Sequence, residues 1–269
     1  MATNIEDERI DVSKEVNFIW SIANSLRGPY KSDKYKDVII PMTIIRRLEC
    51  ALADTKQDVV KTFESNKNTP ALVLEQKAGY AFYNTSKYDL KELLNDSTNL
   101  ADNFKSYLDA FSPNVRIIFG KDKGLDFYPQ IDKMDKNNRL FSVIKKFSEL
   151  DLNPKTVDNQ KMGYMFEEII KRFSENAEAG DHYTPREVIR LMVNILLSEG
   201  CDDLREKGKV ITVLDMACGT GGMLSTAERQ IKKINPNADV QLFGQEVNPE
   251  SYAICLADML IKGQNVKNI

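Results

Sequence analysis

The sequence predicts an all-α N-terminal domain over residues 1–175 followed by the start of a parallel α/β unit over residues 176–269, and three observations carry that reading. From Ser13 to Phe173 the apolar residues recur at three- and four-residue intervals, as on the buried stripe of a helix. Val210, Ile211, Val213 and Leu214 then form a short β-branched run closed by Asp215, with a glycine loop at Gly219, Thr220, Gly221 and Gly222 and a helical stretch from Met223 to Ile234 behind it. A second apolar-rich strand, Val240 to Phe243, leads to Glu246, about thirty residues after Asp215, which is the spacing of one strand-helix-strand unit.

Taken in order, Val16, Ile19, Trp20, Ala23 and Leu26 make the stripe of a first helix over residues 13–26, stopped by Gly28-Pro29. A second helix covers Lys36 to Ala53 through Ile39, Met42, Ile45, Leu48 and Leu52. Arg46 and Arg47 lie beside its stripe, where they would meet solvent, a phosphate or a partner's carboxylates. Lys56 to Asn68 is polar and reads as a helix end and loop, and Gly120 to Asp135 reads as a charged, turn-rich connection. Tyr80, Phe82, Tyr83 and Tyr88 have only Lys77 and Lys87 interleaved, which fits domain core better than a base-stacking surface. Leu100, Phe104, Leu108 and Phe111 mark a further helix, Leu140, Val143, Ile144 and Phe147 another, and Met165, Phe166, Ile169, Ile170 and Phe173 a third. At the domain boundary Thr184, Pro185 and Glu187 spell a capping box with proline at the first helical position, and Val188, Met192, Ile195 and Leu196 continue that helix. The last helix runs from Pro249 to Lys262.

Composition narrows the chemistry. With 42% hydrophobic and 29% charged residues, a net charge of -3 and a pI near 5.5, nothing indicates that the chain holds nucleic acid by bulk electrostatics. There is no apolar run of membrane-spanning length and no apolar leader, so a cytoplasmic protein without membrane contact is expected. Cys50, Cys201, Cys218 and Cys255 are scattered and His182 is the only histidine, which argues against a zinc site, a disulfide framework or a hydrolytic triad.

The glycine loop is the chemical centre. A Walker-type phosphate loop needs Gly-Lys followed by Ser or Thr, and the dinucleotide fingerprint needs a third glycine where Leu224 stands. Neither pattern fits. An acidic strand end, three residues and Gly-x-Gly-Gly instead resembles the S-adenosylmethionine loop of class I methyltransferases, with Glu246 placed to accept both ribose hydroxyls. The helix beginning near Thr184 would favour the carboxylate of a bound amino-acid moiety at its N-terminus.

Three blocks carry a more specific resemblance. Gly180-Asp-His-Tyr-Thr-Pro-Arg186 is similar to Gly-Gln-Phe-Tyr-Thr-Pro-Arg, Asp215-Met-Ala-Cys-Gly-Thr-Gly-Gly222 to Asp-Pro-Ala-Cys-Gly-Thr-Gly-Gly, and Gly244-Gln-Glu-Val-Asn-Pro249 to the block that follows in the modification subunits of type I restriction-modification systems. Leu26-Arg-Gly and Ile39-Ile-Pro-Met-Thr-Ile-Ile-Arg-Arg-Leu48 resemble their helical domain. The resemblance implies an incomplete Rossmann-like class I methyltransferase fold and adenine-N6 methylation of DNA. It also implies a complex with a DNA specificity subunit, a restriction subunit and a second modification subunit.

The same resemblance implies that Asp181, His182, Tyr183, Thr184, Pro185 and Arg186 line the methionine end of S-adenosylmethionine. Asp215, Gly219, Thr220, Gly221 and Gly222 would form its loop, and Glu246 would hold its ribose; no metal is implied. Departures are Asp181, His182 and Met216 in place of Gln or Glu, an aromatic residue and Pro. The family's Asn-Pro-Pro-aromatic motif, which holds the flipped adenine, does not occur: Asn153-Pro154, Asn235-Pro236 and Asn248-Pro249 are followed by Lys, Asn and Glu. No catalytic residue is therefore assigned, and the chain is expected to be truncated and inactive alone. The competing expectation is a non-catalytic assembly module or a degenerate copy.

Overall fold

The structure, a computed structural model, describes residues 11–122, 124–173, 184–198 and 202–269. The first ten helices in chain order are α1 Ser13–Ala23, α2 Lys36–Leu52, α3 Lys56–Ser65, α4 Ala71–Ala78, α5 Leu90–Leu93, α6 Leu100–Asp109, α7 Pro113–Phe119, α8 Tyr128–Lys136, α9 Leu140–Ser148 and α10 Asn159–Phe173. There follow α11 Arg186–Leu196, β1 Val210–Asp215, α12 Gly222–Ile234, β2 Asp239–Gly244 and α13 Pro249–Lys262.

Among the described residues the helical layer is built around α2, whose buried positions run all round the helix, from Val38, Ile39 and Ile40 to Leu48 and Leu52. A helix apolar on every side is one that neighbours surround. α1, α9, α10 and α13 all pack on it. In α1 the buried stripe is Val16, Ile19, Ile22 and Ala23, and Leu26 is carried inward by a short 3-10 turn. Trp20, expected on the stripe, is instead 36% exposed and lies under the Arg172 guanidinium. Gly28, at φ 103°, breaks the chain direction where the sequence placed the stop.

Arg47 meets neither solvent nor a carboxylate. It is 1% exposed, and its guanidinium donates to the carbonyls of Leu152 and Val157, both at 2.6 Å, and to Asn159 Oδ1 at 2.8 Å. Burial pushes its pKa down, as desolvation disfavours the cation. Arg46 pairs with Glu49 and donates to the Leu150 carbonyl. Both arginines thus clasp α2 to the connection before α10, whose buried carbonyls they satisfy.

Two stretches, one expected as a helix end and loop and the other as a turn-rich connection, carry helices of their own. Within Lys56 to Asn68, α3 forms because Val59 and Val60 are buried on one narrow side, enough to dock an otherwise polar helix. Within Gly120 to Asp135, α8 begins at Tyr128 with Pro129 in its first turn, and Phe127, Ile131 and Met134 give it an apolar stripe at spacings of four and three. The aromatic cluster is packed as core, with Phe82 fully buried and Tyr80, Tyr83 and Tyr88 against it.

β1 and β2 pair in parallel, in a register that sets Val210 opposite Asp239 and Asp215 opposite Gly244. α12 covers one face of this pair through Leu224 and Ile231, and α11 lies on α12 through Ile189 and Val193. β1 is not buried on both faces as its composition suggested: exposure alternates, and Val210 and Leu214 stand 61% and 60% exposed. Its β-branched run is met by a layer on one face alone among the described residues. α13 joins the two halves, with Cys255 and Met259 in the core under the sheet and Ala253, Ile254, Leu256, Ala257, Leu260 and Ile261 in the core of the helical layer. No helix among the described residues is long and apolar enough to cross a membrane.

Candidate functional site

The parallel register carries the ends of β1 and β2 to the same level, so the two loops that follow them meet. Gln245 N–H donates to the Asp215 carbonyl at 3.0 Å and Cys218 N–H to the Gln245 carbonyl at 2.9 Å, which continues the pairing beyond the strands. One Asp215 carboxylate oxygen accepts from Ala217 N–H at 3.1 Å and starts the turn. Glu246 then spans the gap: Oε2 accepts from Gly219 N–H at 2.8 Å and Oε1 from Asn248 N–H at 2.6 Å. The Asn248 side chain in turn caps α13 by accepting from Glu250 and Ser251 N–H.

The loop glycines serve different ends. Gly219, at φ 54°, would direct a Cβ into open space, so it leaves room beside the backbone. Gly221, at φ 82°, would bring a Cβ to 2.9 Å from Cys255 Sγ and 3.2 Å from Met259 Cε. It permits the loop to lie against α13. Gly222, the first residue of α12, faces Ile189 and Glu167. Behind the loop the thiols of Cys218 and Cys255 are both buried and interact, and Cys218 Sγ also lies 3.9 Å from the Gly219 carbonyl oxygen. The neighbouring thiol holds Cys218 below the ordinary thiol range and, together with burial, pushes Cys255 well above it.

A cleft of about 460 Å³ opens over these elements. Of the residues singled out in the sequence, Thr184, Asp215, Gly219, Thr220, Gly222 and Glu246 line it. Gly221 supports it from behind, and Pro185 precedes α11 without lining it. Asp181, His182 and Tyr183 lie outside the described residues, as does the side chain of Arg186.

The expected capping box is absent. The Pro185 carbonyl accepts the first helical bonds, from Val188 and Ile189, so Pro185 is itself the N-cap, and the helix has no side-chain cap. Thr184 therefore falls one residue outside the cap position and Glu187 one residue short of the place a box requires. Thr184 is left facing the cleft.

Glu167, Ile189, Met192, Asn248 and Ser251 also line the cleft and were not foreseen. For Glu167 a signal existed: a carboxylate beside Phe166 within the apolar stretch of α10, 9% exposed in the fold. The cleft holds three carboxylates, Glu167, Asp215 and Glu246, and no Lys or Arg side chain among its described lining residues. Its size suits a nucleoside-bearing ligand and its charge suits a cation. A second cleft, of about 490 Å³, shares Thr220 and Gly222 with the first and is lined from α12 and α13 by Arg229, Lys232, Lys233 and Lys262 together with Glu228 and Asp258, and from α10 by Asn159 and Phe166.

Comparison with known proteins gives consistent findings. A family model described as the HsdM N-terminal domain matches residues 16–147, and one described as N-6 DNA Methylase matches residues 157–269. The MjaVII methylase subunit, a type I restriction enzyme subunit of Methanocaldococcus jannaschii, is 29% identical over 176 residues, covering 65% of this chain and 26% of that protein. The EcoEI methylase subunit of Escherichia coli is 28% identical over 184 residues, covering 66% and 34%. The MpnII methylase subunit of Mycoplasma pneumoniae is 24% identical over 219 residues, covering 79% and 35%. The chain thus spans about a quarter to a third of the length of these relatives. In fold it is similar to the crystal structure of a type I restriction-modification methyltransferase subunit from Streptococcus thermophilus, with a TM-score of 0.64 at 18% identity, over 95% of this chain and 57% of that one.

Proposed function

This chain belongs to the family of methylase subunits of type I restriction enzymes, and on that premise we propose that it carries the S-adenosylmethionine site of a DNA adenine-N6 methyltransferase. The observation that carries the proposal is the convergence of Gly219, Glu246 and Thr184 on one acidic cleft at the carboxyl ends of two parallel strands. Ligands of open α/β sheets sit at that edge.

The residues present fit the cofactor. The carboxylate of Glu246 accepts one backbone N–H on each oxygen, which fixes its plane and leaves lone pairs for the two ribose hydroxyls. Gly219 presents bare backbone beside it. Thr184, before α11, lines the cleft on the side assigned to the methionine end, and the family resemblance gives its sequence neighbours Asp181, His182, Tyr183 and Arg186 the same role. When bound, S-adenosylmethionine supplies an electrophilic methyl group on its sulfonium. The chain's task is to hold that group in place against an adenine amino nitrogen and away from water.

DNA is the proposed substrate, met in a complex with a specificity subunit, a restriction subunit and a second modification subunit, in the cytoplasm. Family membership supports these partners. Calorimetric titration with S-adenosylmethionine tests the site: the wild-type chain should bind, and Glu246→Ala should weaken binding at least tenfold by removing two charge-assisted acceptors. Equal affinity of the two proteins would show that the ribose end has been misplaced.

A further inference from the structure

We infer that Cys218 and Cys255 are an oxidisable thiol pair beneath the glycine loop, which a hydroperoxide entering the cleft converts to a disulfide that weakens cofactor binding. The disulfide stands on the thiols alone, and its effect on binding rests on the cofactor reading above. Both thiols are free and share one small core, Cys218 5% and Cys255 0% exposed. Cys218 lines the cleft, and Cys255 lies behind it on α13. The turn closed by Gly221 N–H on the Cys218 carbonyl, at 2.8 Å, rests on the Cys255 sulfur, which stands 2.9 Å from where a Cβ on Gly221 would be. The pair is asymmetric: the Cys255 thiol holds Cys218 below the ordinary thiol range, whereas Cys218 and burial push Cys255 well above it. The sulfur at the cleft is therefore the nucleophile, and the one behind it keeps its proton.

With a hydroperoxide as oxidant the steps balance. The Cys218 thiolate attacks one oxygen of the O–O bond, the other oxygen leaves with the bonding pair and takes up a proton, and Cys218 becomes a sulfenic acid. The Cys255 sulfur then attacks the Cys218 sulfur, the S–O bond breaks, and hydroxide departs with the Cys255 proton as water. The two sulfurs lose two electrons and the hydroperoxide gains them. An S–S bond of about 2.0 Å draws Cys218 toward α13. Cys218 N–H donates to the Gln245 carbonyl at 2.9 Å, and Gly219 N–H, next along the chain, donates to Glu246 at 2.8 Å. Pulling Cys218 inward thus displaces the donor that orients the ribose acceptor. A bound cofactor, in turn, covers the route by which the oxidant reaches Cys218.

The test treats the full 269-residue chain with hydrogen peroxide, with and without saturating S-adenosylmethionine, blocks the remaining thiols and reads the tryptic peptides by mass spectrometry. Peptides joined through Cys218 and Cys255 should appear, separate on reduction, and form about tenfold or more slowly when the cofactor is present. By calorimetry the oxidised chain should bind S-adenosylmethionine at least about tenfold more weakly than the reduced chain, with recovery on reduction. In Cys255→Ala and in Cys255→Ser no joined pair should form, and dimedone should capture Cys218 as its sulfenic acid. A treated wild type without the joined pair, or with Cys218 joined to Cys50 or Cys201 instead, would overturn the inference. A joined pair that leaves cofactor affinity unchanged would overturn it as well. Should the reduced chain bind no S-adenosylmethionine while the pair still forms, the cofactor reading falls and the thiol pair stands.

Discussion

At the scale of single residues, side chains that look alike in the sequence have separate physical duties. Gly219 and Gly221 are both left-handed, but Gly219→Ala should cost about 1 kcal/mol for its backbone alone, whereas Gly221→Ala adds a clash with Cys255 and should cost about 2–4 kcal/mol. Denaturant unfolding distinguishes them, and Cys255→Ala should recover part of the loss at Gly221 and none at Gly219. Arg47→Met should destabilise by about 3 kcal/mol or more, since it strands the Leu152 and Val157 carbonyls and Asn159 Oδ1 in the interior. Lys56 offers a pH readout. Burial lowers its pKa from 10.5 to about 8, so between those values the unfolded chain binds more protons and stability rises with pH. Relative to Lys56→Met, the wild type should therefore gain stability as pH rises from about 8 to about 10.5, and a flat difference would contradict that burial.

At the scale of elements, the starts of α13 and α11 differ in that a side chain caps the first and none caps the second. Asn248 accepts from two N–H groups at the start of α13, so Asn248→Ala should cost about 1 kcal/mol. Thr184 makes no cap for α11, and Thr184→Ala should change stability by less than about 0.5 kcal/mol. Thermal melts of the two variants, made side by side, check the contrast; a comparable loss at Thr184 would restore it to a capping role. The position of the cap is set by the backbone and not by the spacing of Thr184 and Glu187. Ser, Thr and Glu at the right spacing fit a cap at either of two adjacent residues, and the extended backbone of Pro185 decides which.

At the scale of the whole molecule, α13 is the helix that contributes to both cores. One side of it belongs to the core beneath β1 and β2 and the other to the core around α2, and Lys36 of α2 pairs with Glu250 at 2.9 Å. The proposed boundary near residue 175 therefore separates two units that share an interface, through α13 and through contacts of α10 with α11 and the glycine loop. Met1–Glu175 expressed alone should still show helical circular dichroism and a cooperative melt, with a midpoint below that of the full chain because the seat of α13 is opened to water. A fragment without a cooperative transition would remove the two-domain reading. The outward faces of α11 and β1, with Ile195 63% and Leu214 60% exposed, mark where apolar surface stands uncovered among the described residues.

By itself the sequence determined what depends on near neighbours. Helical periodicity places α2, α6, α9, α10 and α13, and the strand, glycine loop and acidic residue place the cleft, because a stripe of period 3.6 and a left-handed glycine are properties of a few consecutive residues. Its errors came where the local signal was short: the two valines of α3, and the three-residue stripe of α8 among charges. Only the tertiary structure decided which side chains meet across long separations. Arg47 finds carbonyls more than a hundred residues away, Cys218 finds Cys255, and Glu167 arrives at a loop from the other half of the chain. No local pattern encodes such partners, because packing selects them by shape and by the need to satisfy every buried polar group at once.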